Sequence, residues 1–221
     1  DHPAGLIRTD TVTLEIHTIT LGPLANNSYI LVEPQSGLAV IVDPTFGGQY
    51  ILQEIQRAGW ELSQIWLTHA HFDHTAGIED IFRTGNSEIP VGIHPLDVEL
   101  YRHGGGADQF GVSAPALPEP TLYFDHGQLL TIGEETVEVR HTPGHSPGHV
   151  LFYIPQVGAA LVGDLIFKNG VGRTDLPGGN MTKLLNSIYR QVLTLPPDTR
   201  LLSGHGPETT VAIEADFNPY L

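Results

Sequence analysis

Four ionisable side chains fall within six positions, in the run His69-Ala70-His71-Phe72-Asp73-His74. The spacing narrows the fold before composition is consulted. Residues i and i+2 do not share a helix face, whereas side chains alternate along an extended chain. His69 and His71 therefore share a side only where the backbone is extended, and Asp73 and His74 follow where it turns toward a second position. Three further candidates lie far away in sequence: His145 in Thr-Pro-Gly-His, Asp164 in Gly-Asp-Leu and His205 in Ser-Gly-His-Gly. Each follows a run of strand character. A scaffold that gathers loops at strand ends on one rim would bring all seven together.

A chain of this composition shows H-x-H-x-D-H by chance with odds of roughly two in a thousand, so the run is read as chemistry and not as scattered surface histidines. Imidazole and carboxylate donors without thiolate suit zinc, iron or manganese at a catalytic centre. One ion would take His69, His71 and His145, and the other Asp73, His74 and His205. Asp164 has the role left over, a carboxylate that can bridge both; Asp73 and Asp164 are the candidate catalytic residues. Two divalent ions about 3.5–4 Å apart hold a shared hydroxide by lowering the pKa of water toward roughly 7. Zinc is the first expectation, with iron and manganese compatible.

The composition limits the partners. Ten Lys+Arg against 25 Asp+Glu give a net charge of −15, and such a surface repels phosphate backbones, so nucleic acid is not expected. Cysteine is absent, which removes disulfides, thiolate ligands and a cysteine nucleophile together. No charged segment followed by an apolar one opens the chain, and no run approaches 18 apolar residues. The expectation is a cytoplasmic enzyme without a membrane partner. Lys168 and Arg173 are two of only ten basic residues and lie within ten positions of Asp164. They are the candidate contacts for a small anionic substrate.

Apolar β-branched runs predict strands at 11–19, 29–33, 38–42, 65–68 and 91–94, then at 129–132, 136–140, 150–154, 159–162 and 200–202. Helical spacing falls at 50–58, 76–82 and 182–193. Residues 104–120, rich in Gly, Ala and Pro, read as a long ordered loop or a lid. No repeat and no linker divides the chain, so residues 1–221 are expected to form one domain. The order of elements favours two sheets packed face to face with helices outside.

These motifs resemble the metallo-β-lactamase superfamily. More closely, the chain is similar to the short, single-domain type of glyoxalase II, on Leu21-Gly22-Pro23, the run from Thr142 to His149, Gly163-Asp164-Leu165-Ile166-Phe167, Gly172-Arg173-Thr174-Asp175 and Asn218-Pro219-Tyr220-Leu221. The resemblance implies an α+β fold, a four-layer αββα sandwich, with a dinuclear site that hydrolyses glutathione-type thioesters, S-lactoylglutathione giving lactate and glutathione. It places Arg173 where longer relatives carry a glutathione-anchoring lysine, although Thr174-Asp175 replace the aromatic character that follows it there. The runner-up is a persulfide dioxygenase, which shares a Gly-Arg-Thr-Asp stretch and would hold one iron on His69, His145 and Asp164. A lactonase or β-lactamase of the same superfamily stands third.

Overall fold

In the computed structural model, which describes residues 14–85 and 88–221, the fold is organised around strands buried on both faces. After β1 (Glu15–Leu21), strand β2 (Asn26–Glu33) is buried along its whole length. Its side chains divide by parity: Tyr29 and Leu31 enter one core, Ile30 and Val32 another. Strand β3 (Leu38–Val42) divides in the same way. An apolar run without polar alternation is what a strand covered on both sides requires.

The first half continues with α1 (Gly48–Ala58), β4 (Glu61–Trp66), the single turn α2 (Phe72–Thr75), α3 (Ile78–Arg83), β5 (Val91–Ile93), α4 (Val98–Arg102) and β6 (Leu122–Tyr123). Its six strands lie in sequential order. β1, β2 and β3 are antiparallel, and β3 to β6 are parallel. The second half comprises β7 (Leu129–Ile132), β8 (Glu135–His141), β9 (Val150–Ile154), β10 (Ala159–Gly163), the hairpin β11 (Ile166–Phe167) and β12 (Gly170–Val171), α5 (Met181–Ser187), β13 (Arg200–Ser203), β14 (Thr209–Thr210) and α6 (Val211–Phe217). Here the sheet order is β14-β13-β10-β9-β8-β7, with β10 and β13 parallel.

Between the sheets Trp66 packs on Phe124 and Phe152, with ring centroids 6.5 and 5.4 Å away. Each such buried side chain contributes about 1.5–3 kcal/mol. The outer face of the first sheet buries Ile51, Leu52 and Ile55 of α1 with Ile78 and Ile81 of α3. The outer face of the second buries Leu184 of α5 with Ile188 and Val192 of its π-helical continuation. The layers are helix, sheet, sheet, helix, as expected.

The chain leaves β3, β4 and β5 at one rim. It leaves β10 and β13, parallel to each other, at the loops that carry Asp164 and His205. The strand predicted at 11–19 is found at Glu15–Leu21; residues 11–13 lie outside the described ones, and Leu14 precedes the strand. Six short elements, β6, β11, β12, β14, α4 and α6, had no sequence expectation. Residues 104–110 form two 3-10 turns kinked at Gly105 and Gly106, residues 112–120 run without regular structure as the expected ordered loop, and Phe110 packs against Phe72 at 5.5 Å between ring centroids. No helix among the described residues is long and apolar enough to cross a membrane.

Candidate metal centre

His69, Ala70 and His71 leave β4 without regular structure, and His71, extended at φ −62° and ψ 144°, precedes the α2 turn. The His74 N–H donates to the His71 carbonyl at 2.9 Å and closes that turn. Two histidines thus come from extended backbone, while Asp73 and His74 come from a helical turn. His145 lies in the loop between β8 and β9, Asp164 follows β10, and His205 follows β13.

All seven predicted residues meet. Donor atoms of His69, His71 and His145 lie within 4.8 Å of one another, as do those of Asp73, His74 and His205. His71 Nδ1 and His145 Nε2 are 2.9 Å apart. Asp73 Oδ2 stands 3.4 Å from His74 Nε2 and 3.3 Å from His205 Nε2. Asp164 reaches both groups: Oδ2 is 3.6 Å from His145 Nε2 and 3.5 Å from His205 Nε2, and Oδ1 is 3.4 Å from His74 Nε2. Gly204 makes this approach available, because a Cβ there would lie 2.3 Å from Asp164 Oδ1.

Asp43, His69 and His74 also cluster within 4.8 Å, yet Asp43 is already engaged. Its Oδ1 accepts from the Thr68 N–H at 2.7 Å, and its Oδ2 from the Thr68 hydroxyl at 2.6 Å. That hydroxyl accepts in turn from His69 Nδ1 at 2.9 Å. The other rings are similarly held from behind. His145 Nδ1 donates to the Arg173 carbonyl at 2.8 Å, and His205 Nδ1 to the Leu24 carbonyl at 3.1 Å. A bond at one ring nitrogen sets the tautomer and turns the other toward a ligand position.

His69 Nε2, His74 Nε2 and Asp164 Oδ1 are buried side-chain atoms with no hydrogen-bond partner. Leaving such an atom unsatisfied costs about 1–3 kcal/mol; His69 and His74 belong one to each converging group, and Asp164 reaches both. Cations coordinated by them would satisfy all three at once, so the residues fit two metal ions.

The protonation states are split. Burial, reinforced by His74, His145 and His71, holds His69 well below the usual imidazole range. Burial and then His145 push His71 down to about 3. For His74 burial acts in the opposite sense, but Asp164 and Asp73 outweigh it and hold the ring well above that range. His205 is raised to about 10, its burial outweighed by hydrogen bonding to Asp164 and Asp73. Burial alone would raise Asp164; His74 and His205 hold it well below the carboxylate range instead. The Asp73/His74/His205 side therefore carries protons where a cation would sit.

Several supporting residues carried no sequence signal. Buried Asp97 accepts from the Ala70 N–H at 3.0 Å, the Ser146 hydroxyl at 2.7 Å and the Gly148 N–H at 2.5 Å, tying the two ligand loops together. Asn26 donates to Asp73 Oδ2 at 2.8 Å. Asn27 donates to the Ser203 and Gly206 carbonyls on either side of His205, at 3.0 and 2.8 Å. His149, left unassigned by the sequence, accepts from the Asp164 N–H at 3.1 Å and stacks on His69 at 5.1 Å.

The site opens into a cavity of about 430 Å³, with apolar walls that include Leu24, Phe46, Phe72, Phe110, Val112 and Leu176. Arg173 is the only Lys or Arg in its lining among the described residues. Lys168 is exposed at the turn of the β11–β12 hairpin and lies outside that lining. Phe110 lines the mouth, whereas Tyr101 is buried in the core.

Residues 21–205 match the model of the metallo-beta-lactamase superfamily, and the chain belongs to that superfamily. It is 40% identical over 205 residues to the probable metallo-hydrolase YqgX of Bacillus subtilis, covering 91% of this chain and 94% of that protein. It is 32% identical over 185 residues to the hydroxyacylglutathione hydrolase GloC of Haemophilus influenzae, covering 83% and 87%. Among solved structures, the BLEG-1 B3 metallo-beta-lactamase superposes with a TM-score of 0.85 at 36% identity, covering 94% of this chain and 99% of that one. The di-iron-bound form of TTHA1623 superposes with a TM-score of 0.84 at 39% identity, covering 93% and 100%.

Proposed function

We propose that the protein is a metal-dependent hydrolase of glutathione-type thioesters, cleaving S-lactoylglutathione to lactate and glutathione. The observation that carries this reading is Asp164, which reaches His145 on one side and His74 and His205 on the other, at the floor of a cavity whose only Lys or Arg among the described residues is Arg173. The likeness to GloC supports the thioester class. His69, His71 and His145 would hold one ion and Asp73, His74 and His205 the other, with Asp164 between them. When bound, the two ions supply Lewis acidity and lower the pKa of water at the scissile carbonyl.

The chain's own residues do the positioning. Asp43 and Thr68 fix the His69 and His74 rings, the Arg173 carbonyl fixes His145, and Asn26 orients Asp73. The apolar walls lower the polarity around the site, which strengthens charge interactions at the reacting carbonyl. Arg173 offers a cation to the anionic end of the thiol part. Zinc is the proposed metal; the di-iron form of TTHA1623 keeps iron in the test.

The decisive experiment follows thiol release from S-lactoylglutathione by metal-loaded protein. Rapid turnover that is lost on chelation supports the reading. Absence of turnover with full metal content overturns it and directs attention to iron content and oxygen uptake with a glutathione persulfide. A β-lactam or lactone is the second reading, favoured by the 36% identity to BLEG-1. Ring opening of a cephalosporin by the same preparation tests it.

A further inference from the structure

Arg173 does not meet the cavity as a free cation. Its Nε and Nη2 donate to the two carboxylate oxygens of Asp175 at 2.7 and 2.8 Å, a two-point pair that fits the guanidinium fork. The pair is open to solvent, with side-chain exposures of 51% and 67%. The guanidinium carbon stands 5.8 Å from the centroid of the Phe110 ring on the cavity wall. The Arg173 hydrogen bonds hold the Asp175 carboxyl down at about 2, so the pair is fully charged at neutral pH.

The root of this side chain has little freedom. The Arg173 carbonyl accepts from His145 Nδ1 at 2.8 Å. The preceding residue, Gly172, approaches so closely that a Cβ would lie 1.8 Å from the Asp164 carbonyl oxygen. The backbone that carries Arg173 is thus fixed to two of the metal-site residues, and only the partner of its guanidinium is open to change. Exchanging one carboxylate for another keeps the same fork geometry, and an exposed pair is weak enough to exchange readily.

We propose that Asp175 is a specificity-determining residue: a resident carboxylate that competes with the anionic end of the substrate for Arg173. The substrate class that follows is a compact thioester whose thiol part carries a carboxylate within reach of the rim, with an apolar segment against the Leu24 and Phe110 walls. Neutral thioesters gain nothing from Arg173. Anionic ones gain only the excess over Asp175, which holds substrate and thiol product at modest affinity and favours release. The inference rests on the proposed thioester activity for the identity of the bound molecule, but its test does not require turnover.

The test is calorimetric titration of the metal-loaded full chain with two non-hydrolysable probes, 3-(hexylthio)propanoate and its carboxamide. Wild type is compared with Asp175→Asn, Arg173→Gln and the double variant. Both side chains are exposed, so folding is not at stake. Asp175→Asn is expected to tighten binding of the carboxylate by about two- to fivefold, the range an exposed ion pair supports, and to leave the carboxamide unchanged. The gain should vanish when Arg173 is already Gln. Unchanged or weaker carboxylate binding in Asp175→Asn overturns the competition, as does an equal gain for the carboxamide or no binding of either probe to wild type. Loss of thioesterase activity together with the expected binding pattern would instead overturn the proposed reaction and leave this inference standing.

Discussion

Asp43 Oδ2 accepts a hydrogen bond from His74 Nδ1 at 2.9 Å while also accepting one from the Thr68 hydroxyl at 2.6 Å. Because Thr68 passes that connection to His69, one carboxylate orients a ring in each of the two ligand groups. Asp43 has φ 52°, a left-handed conformation that Asn tolerates. Asp43→Asn therefore keeps the backbone and removes an acceptor from a carboxylate that receives three donors. The expected result is a fall in metal affinity of about 10–100-fold with the fold retained. Metal titration alongside circular dichroism checks it, and unchanged affinity would remove Asp43 from the support of the site.

Asp164→Asn should reduce turnover by at least about 100-fold, the loss seen when one preorganised electrostatic contact at a reacting centre is removed. It should also lower the number of metal ions held per chain, because only a carboxylate reaches both groups with full charge. Steady-state kinetics and metal analysis on the same sample read both effects. Near-normal activity would sink the bridging role.

Loading with metal must release protons. His205, raised to about 10, and His74, held well above the imidazole range, are both protonated at neutral pH in the metal-free protein. Ligation requires neutral imidazole. Metal affinity should therefore rise with pH from 6 to 8, by about tenfold per unit for each proton released. Titrations in buffers of different ionisation enthalpy count those protons, and a count of zero would refute the assignment.

The same two histidines set the pH response of the metal-free fold. A group whose pKa is raised by folding stabilises the fold fully below its unfolded value, near 6.5, and ceases to do so as pH rises through its folded value. For His205 that window runs from about 6.5 to about 10. Metal-free protein should lose thermal stability across it. Asp164, held low, contributes in the opposite sense, with stability lost as pH falls through its depressed value. Melting curves recorded across pH, with and without a chelator, check both limbs.

Asp97→Ala should be among the more damaging changes outside the ligands. It strands the Ala70 and Gly148 N–H groups and the Ser146 hydroxyl in a buried place. A cost of about 3 kcal/mol or more is expected, because each stranded buried donor costs about 1–3 kcal/mol. Denaturant unfolding measures it, and a change below about 0.5 kcal/mol would contradict the structural reading.

The seven ligand candidates were legible because metal chemistry restricts residue type and spacing together. His69 and His71 could be placed in extended backbone from their separation alone. The long strands were legible through β-branched runs such as Leu38–Val42, which the structure reproduces. The supports were not. Asp43-Pro44 reads as ordinary strand-end punctuation, and nothing local distinguishes Asp97 from any acidic residue near a short helix. Their roles arise from contacts across 25 to 51 positions, as with Thr68 to Asp43 and Gly148 to Asp97. The two-residue strands β6 and β14 escaped because they are too short to show a period. Lys168 was grouped with Arg173 by proximity in sequence, but it is exposed at the β11–β12 turn and lies outside the cavity lining.

His69, His71, Asp73 and His74 come from the half of the chain that forms the first sheet; His145, Asp164 and His205 come from the other half. Neither half holds a complete set for either ion. Two ions at this rim would therefore act as a reversible clasp across the seam of the sandwich, closing only when both sheets are docked. Ligand that binds the folded state alone adds about 2.7 kcal/mol at a hundredfold excess over its dissociation constant. At this site that increment would fall on the joint between the halves, tying the cohesion of the whole molecule to the metal supply around it.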